Sequence, residues 1–199
     1  MKVIGITGPT GAGKTTALGV LEQMGCAIID CDAVYHSLLK TDHTLQEELQ
    51  QQFGPLTDPQ GDFDRKRLGS VVFHDPAALE RLNAIVYPHI GRAVEQMLEQ
   101  ARQQGVPGAA VDGITIFESG LAARCDITVA VVAPVEERVR RICLREGISR
   151  DYAMARIGAQ NTQEWFEEHC DHMLVNDCAS AEQFAFRARD LFERLLSRK

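Results

Sequence analysis

Gly8-Pro9-Thr10-Gly11-Ala12-Gly13-Lys14-Thr15 matches the pattern GxxxxGK[ST] without a gap. Each residue type has a physical reason. Side chains at Gly11 and Gly13 would block a backbone that must wrap a phosphate, so glycine leaves the amide N–H groups free to point inward. A helix that begins near Lys14 adds its N-terminal dipole to the same pocket. The Lys14 ammonium can bridge β- and γ-phosphates, and the Thr15 hydroxyl can ligate magnesium. Gly8, Ala12 and Thr16 complete the candidate nucleotide-binding segment.

The surroundings of this loop are the ones it needs. Val3–Thr7 is a short β-branched run that reads as a buried strand. From Thr15 to Met24, Ala17, Val20, Leu21 and Met24 recur at helical spacing, and Gly25 ends the helix. Cys26–Ile29 is a second strand, closed by Asp30 and Asp32. Strand, loop, helix and strand in this order form a βαβ unit, which implies a parallel sheet covered on both faces. Ala109–Asp112, Ile127–Val132 and His172–Asn176 read as further strands, so the expected fold is an α/β P-loop domain with five parallel strands.

Ala33 to about Gly105 is helical in pattern, with Thr44–Phe53 and Pro76–Gln104 as its longest pieces. A turn-rich stretch, Gly54-Pro55 and Asp58-Pro59-Gln60-Gly61-Asp62, separates them. The whole is too long for a crossover and predicts a helical insertion over the binding edge of the sheet. Val135–Glu146, Arg150–Ala159 and Ala181–Ser197 are the remaining predicted helices.

Composition narrows the function. The chain has 199 residues, 45% of them hydrophobic, enough for one compact domain with insertions. No apolar run is long enough to cross a bilayer, and the N-terminus lacks the h-region of a signal peptide, which predicts a cytoplasmic protein. The six cysteines are scattered without a CxxC pair and read as reduced thiols. A formal net charge of −7 argues against nucleic-acid or membrane-surface partners. An anionic ligand must then be held by a local cluster of positive charge.

Two such polar groupings stand out. Asp30-Cys31-Asp32 lies where the second strand runs out, the edge at which open α/β sheets bind ligands. Two carboxylates there can divide two tasks, with Asp32 taking a proton from an attacking hydroxyl and Asp30 supporting hydrated magnesium, or they form a turn or an N-cap for a helix over Ala33–Leu39. Asp112 ends another strand, either as a magnesium-side carboxylate or as a cap for the next turn. Arg138, Arg141 and Arg145 fall at i, i+3 and i+7 of one predicted helix. They read either as a lid over phosphate or as a solvated face balanced by Glu136, Glu137 and Glu146. ATP with magnesium, and a small-molecule hydroxyl as acceptor, are the expected ligands; no N/TKxD-type guanine motif is present.

Taken in order, these segments resemble the dephospho-CoA kinase family. The likeness runs from Ile4–Thr16 through Ile28-Ile29-Asp30-Cys31-Asp32-Ala33, Phe53-Gly54, Gly61-Asp62-Phe63-Asp64-Arg65 with Leu68 and Phe73, and Leu82-Asn83-Ala84-Ile85 before Pro88. It continues in Phe117-Glu118-Ser119, Arg141, Arg145 and Gly147, Arg156-Ile157 with Gln160, and Asp171 with Asn176. The resemblance implies phosphorylation of the ribose 3′-hydroxyl of dephospho-CoA by ATP, giving CoA and ADP. It implies three parts: a nucleotide-binding core (1–33, 108–134 and 171–199), a helical acceptor domain (34–107) and a lid (135–170). It also implies Asp32 as base, Arg141 and Arg145 as lid arginines, and Asn176 at the adenine pocket. Oligomeric state is expected to be a monomer or a weak homo-oligomer.

Four places depart from the family pattern. Tyr87-Pro88 stands for the usual His-Pro, and Asp112-Gly113-Ile114-Thr115-Ile116-Phe117-Glu118 for Asp-x-Pro-Leu-Leu-Phe-Glu. Phe166 replaces a frequent basic residue, and GPTGAGKT the more usual GGIGSGKS. No phosphate ligand is removed. The changes fall on the acceptor side, where Tyr87 and Asp112 are candidate contacts, and keep open a kinase for another alcohol or a non-catalytic ATP-binding regulator.

Overall fold

The computed structural model describes residues 1–58 and 60–197. Pro59 of the predicted turn and the last two residues of the 171–199 segment lie outside them. The described strands are β1 (Lys2–Thr7), β2 (Ala27–Asp30), β3 (Gly108–Asp112), β4 (Ile127–Val132) and β5 (His172–Val175). They form one parallel sheet in the order β2-β3-β1-β4-β5. The phosphate loop therefore leaves the middle strand, with β3 and β4 on either side.

Alternation along the strands divides the core into two faces. Ile4, Ile6, Val129 and Val131 pack with Ala17, Leu21, Phe184 and Phe192 of α1 (Lys14–Gln23) and α9 (Ala181–Ser197). Val3, Ala109 and Val111 face the other way, onto the helices inserted between β2 and β3. These are α2 (Cys31–Thr41), α3 (His43–Phe53), α4 (Arg65–Val72) and α5 (Pro76–Gln103). Between β4 and β5 come α6 (Val135–Glu146), α7 (Arg150–Gly158) and α8 (Gln163–His169), with Phe166 buried against Ala130 and Val132.

The insertion is held by its own core and by one buried polar node. Leu82, Val86, Ile90, Val94 and Leu98 line the inner face of α5, on both sides of Pro88. His89, 3% exposed, sets Nδ1 2.7 Å from Asp42 and Nε2 3.3 Å from Glu48, which ties α5 to the start of α3. No described helix is long and apolar enough to cross a membrane.

Candidate active site

The phosphate loop owes its shape to close backbone contacts and to side chains that hold its carbonyls. Gly8 has φ +133, and a Cβ there would sit 2.0 Å from the Val131 carbonyl oxygen, so no other residue fits against β4. Gly13 has φ +107, and a Cβ there would sit 2.4 Å from Asn176 Nδ2. Arg138 Nε donates to the Thr10 carbonyl at 3.0 Å. Arg141 Nη1 donates to the carbonyls of Gly11 and Ala12 at 3.2 and 3.3 Å, and Asn176 Nδ2 donates to Ala12 at 2.8 Å.

In a trans peptide the N–H points opposite to the C=O. Fixing the Thr10 and Ala12 carbonyls outward thus turns the N–H groups of Gly11 and Gly13 the other way. Those two amides, with Lys14 and Thr15 at the first turn of α1, meet no acceptor among the described residues. Oriented, unpaired donors at a helix start are an anion site. Pro9–Thr15, Ile114, Arg141, Arg145 and Arg156 line a cavity of about 300 Å³ in front of them.

The carboxylates gather at the neighbouring strand ends. Asp30 and Asp112 are register partners on β2 and β3. Asp30 is also the N-cap of α2, its Oδ1 accepting from the N–H groups of Asp32 and Ala33 at 2.9 and 3.0 Å. The helix therefore starts at Cys31, two residues before the predicted Ala33. Asp32 is exposed in that first turn, and no donor reaches its carboxylate among the described residues. Burial, then Asp30 and Asp32 nearby, push the Asp112 carboxyl above its ordinary range against the pull of Lys14. Lys14 Nζ donates to Asp112 Oδ1 at 2.8 Å, which bridges the loop to β3. Cys31 lies in the same field: burial first, and the three aspartates after it, push its thiol up to about 12.

The arginines of α6 share a face in sequence and part company in space. Arg138 passes beneath the loop and is 6% exposed. Arg141 reaches the loop from above, while Arg145 is mostly exposed and pairs with Glu146, which also binds Arg156. Two solvated pairs lie nearby: Arg140–Glu137 within α6, and Arg150 of α7 with Glu136 of α6. Sequence reasoning gave Arg138 no separate role; its only signal was the i, i+3 spacing to Arg141. Asn176 is buried, holds Ala12, and borders a cavity of about 250 Å³ with Gly13, Thr16, Arg141 and Phe184.

Tyr87 is half-buried on α5 with the Thr115 side chain close to its phenol; burial raises that phenol. The two stretches that depart from the family pattern thus touch each other. A cavity of about 710 Å³ opens between α2, α4 and α5, with Leu39, Leu68 and Leu82 in its floor and His36, Arg65 and Lys66 at its rim. Tyr35 and His36 line it and follow Asp32 at i+3 and i+4, on the same face of α2.

Among the described residues, no cluster of three or more His, Cys, Asp or Glu forms a metal cage. Magnesium does not require one: it keeps several waters and takes one or two carboxylates together with substrate phosphates. The Thr15 hydroxyl, exposed beside unpaired amides, and the carboxylates of Asp30 and Asp112 fit that donor set.

Comparison with known proteins gives the family. The family model for dephospho-CoA kinase matches residues 2–182. A dephospho-CoA kinase from Dehalococcoides mccartyi is 35% identical over 179 residues, 89% of this chain and 90% of that protein. One from Thermobifida fusca is 30% identical over 199 residues, covering 100% and 98%. The crystal structure of TT1252 from Thermus thermophilus superposes with a TM-score of 0.81 at 31% identity, over 99% of this chain and 98% of the other. A match of this extent, with relatives this similar over nearly their whole length, means that the chain belongs to the dephospho-CoA kinase family.

Proposed function

We propose that this chain transfers the γ-phosphoryl group of ATP to the ribose 3′-hydroxyl of dephospho-CoA, giving CoA and ADP. The observation that carries the reading is the pairing of unpaired loop amides with a free carboxylate, Asp32, at the adjoining strand end. Family membership supplies the acceptor.

In this reading the triphosphate lies on the N–H groups of Gly11, Gly13, Lys14 and Thr15, and its γ end faces β2 and β3. Lys14 turns from Asp112 to the β- and γ-oxygens. Arg141 and Arg145 meet the charge that spreads over the equatorial oxygens in the transition state. Asp32 accepts the 3′-hydroxyl proton as the ribose oxygen forms its bond to phosphorus and the β–γ bridging oxygen leaves with ADP. The Thr15 hydroxyl and a carboxylate of Asp30 or Asp112 would hold magnesium, which would supply positive charge to the transferring phosphoryl group. Adenine of ATP occupies the cavity beside Asn176 and Thr16.

The acceptor sits along α2, with its apolar arm in the cavity between α2, α4 and α5 and its anionic groups at Arg65 and Lys66. Tyr87 and Asp112 border its ribose end. The chain then works as three parts, a core (1–33, 108–134, 171–199), an acceptor domain (34–107) and a lid (135–170), in the cytoplasm as a monomer or weak homo-oligomer. ADP release measured over a panel of alcohols, nucleosides and dephospho-CoA tests the reading. Turnover confined to dephospho-CoA is expected. Turnover of another alcohol with none of dephospho-CoA would overturn it.

A further inference from the structure

Arg138 poses an electrostatic problem that its neighbours do not solve. It is 6% exposed, and no carboxylate lies within ion-pair distance of it among the described residues. A guanidinium does not shed its proton in a protein, so its charge stays buried and unpaired. Desolvation accordingly pulls Arg138 below its ordinary value. Its polar partners are neutral: Nε donates to the Thr10 carbonyl at 3.0 Å, and Nη2 donates to Gln160 Oε1 at 2.7 Å.

Gln160 closes the arrangement. Its Oε1 also accepts from the Thr10 N–H at 3.2 Å, and its Nε2 donates to Thr10 Oγ1 at 2.9 Å. The amide orientation follows from these contacts, because the reverse would set an NH2 group against two donors. Thr10 is thus gripped at its N–H, its hydroxyl and its carbonyl by residues 128 and 150 positions away. The backbone of Arg138 also packs on the loop, for a Cβ on Gly11 would sit 2.9 Å from the Arg138 carbonyl oxygen.

We propose that Arg138, held by Gln160, is a positioning residue of the phosphate loop: it fixes the Thr10–Gly11 peptide so that the Gly11 N–H faces the bound anion, and its unpaired charge is balanced by that anion. The grip has two consequences. The Gly11 amide is aimed before ligand arrives, so its orientation costs nothing at binding. The guanidinium, too, is stabilised only when negative charge fills the loop, which couples the α6–α7 segment to nucleotide through the floor of the site. Arg141 and Arg145 act from the open side; Arg138 does not touch the ligand.

The inference rests on the reading of the loop as an ATP site, and its test separates the two. Calorimetry with magnesium-ATP, steady-state kinetics and thermal melts without nucleotide are compared for wild type, Arg138→Met, Arg138→Lys and Gln160→Glu. Arg138→Met is expected to raise the Kd and KM for ATP about 10–100-fold, the size of a lost charge-assisted bond, with kcat within about threefold and KM for dephospho-CoA unchanged. Arg138→Lys, which cannot bond Thr10 and Gln160 together, falls between the two. Gln160→Glu gives Arg138 a counter-ion, so the nucleotide-free protein melts higher while ATP binds about 3–10-fold more weakly. Wild-type ATP affinity in Arg138→Met, or in Arg138→Lys and Gln160→Glu together should the methionine variant not fold, overturns the proposal. A wild-type protein that binds ATP but leaves dephospho-CoA unphosphorylated defeats the kinase reading and leaves the positioning role standing.

Discussion

Replacing Asp32 by asparagine separates chemistry from folding more cleanly than any other change at this site. The side chain is exposed in the first turn of α2, and no donor reaches its carboxylate among the described residues. The fold therefore loses only the favourable placement of a negative charge at a helix start, about 0.3–1 kcal/mol. For a chain of this size that is a melting-point drop of at most about 4 °C. The Asp30 cap of α2 survives, because its partners are the backbone N–H groups of positions 32 and 33. ATP affinity should stay within about twofold, since the loop amides are held by Arg138, Arg141 and Asn176. Turnover is another matter: an amide cannot accept the hydroxyl proton, and loss of a general base costs about 10²–10⁴ in rate, or about 3–5 kcal/mol of barrier. The assay is ADP release at saturating ATP and dephospho-CoA, with calorimetric ATP binding and a melt on the same preparation. A kcat within about fivefold of wild type would refute the assignment of the base.

Three further outcomes follow from the geometry. Lys14→Ala should lose productive ATP binding, since the pocket then lacks the Lys14 ammonium; ATP affinity equal to wild type by calorimetry would contradict this. Gly13→Ala places a Cβ 2.4 Å from Asn176 Nδ2 at φ +107, so it evicts Asn176 from Ala12 and strains the loop by about 1–3 kcal/mol. A melting point lower by about 4–10 °C is expected, and one within 2 °C would show that the loop gives way. Asp171 is held below the ordinary carboxylate range by the backbone and hydroxyl of Thr128, so its contribution is present above the unfolded value, about 3.9, and is lost as pH falls through the folded one. Asp171→Asn should melt about 2–4 °C lower at pH 7, after discounting for solvent, with the difference shrinking as pH falls below about 3.9; a difference that does not shrink with acid refutes it.

The parts of this molecule legible in its sequence are those governed by local pattern. α6 and α9 run over the predicted residues because apolar spacing and flanking signals coincide at their ends. α5 reads through Pro88 because Leu82, Val86 and Ile90 keep one apolar stripe across it. The second strand was placed one residue early, at Cys26–Ile29; pairing of Asp30 with Asp112 carries it on to Asp30. What spacing does not encode is which of several like residues packs. Arg138, Arg141 and Arg145 have equal standing on a helical wheel. The nearness of the phosphate loop, more than a hundred residues away in the chain, buries the first and leaves the last in water.

The site is divided by charge, and the division explains the need for a metal. Arg138, Arg141, Arg145 and Arg156 lie around the loop, while Asp30, Asp32 and Asp112 occupy the ends of β2 and β3 and the start of α2. Lys14 spans the boundary, bonded to the acidic side. On the proposed reading, a triphosphate in the loop would draw Lys14 across, and Asp112, already raised by burial and its acidic neighbours, would lose its counter-ion beside new negative charge. Asp30, Asp112 and the nucleotide phosphates would together hold a divalent cation, which would supply the missing positive charge on both sides. On the same reading these carboxylates would repel bare ATP and make binding depend on the magnesium complex, and a chain with a net charge of −7 could select an anion without a broadly basic surface.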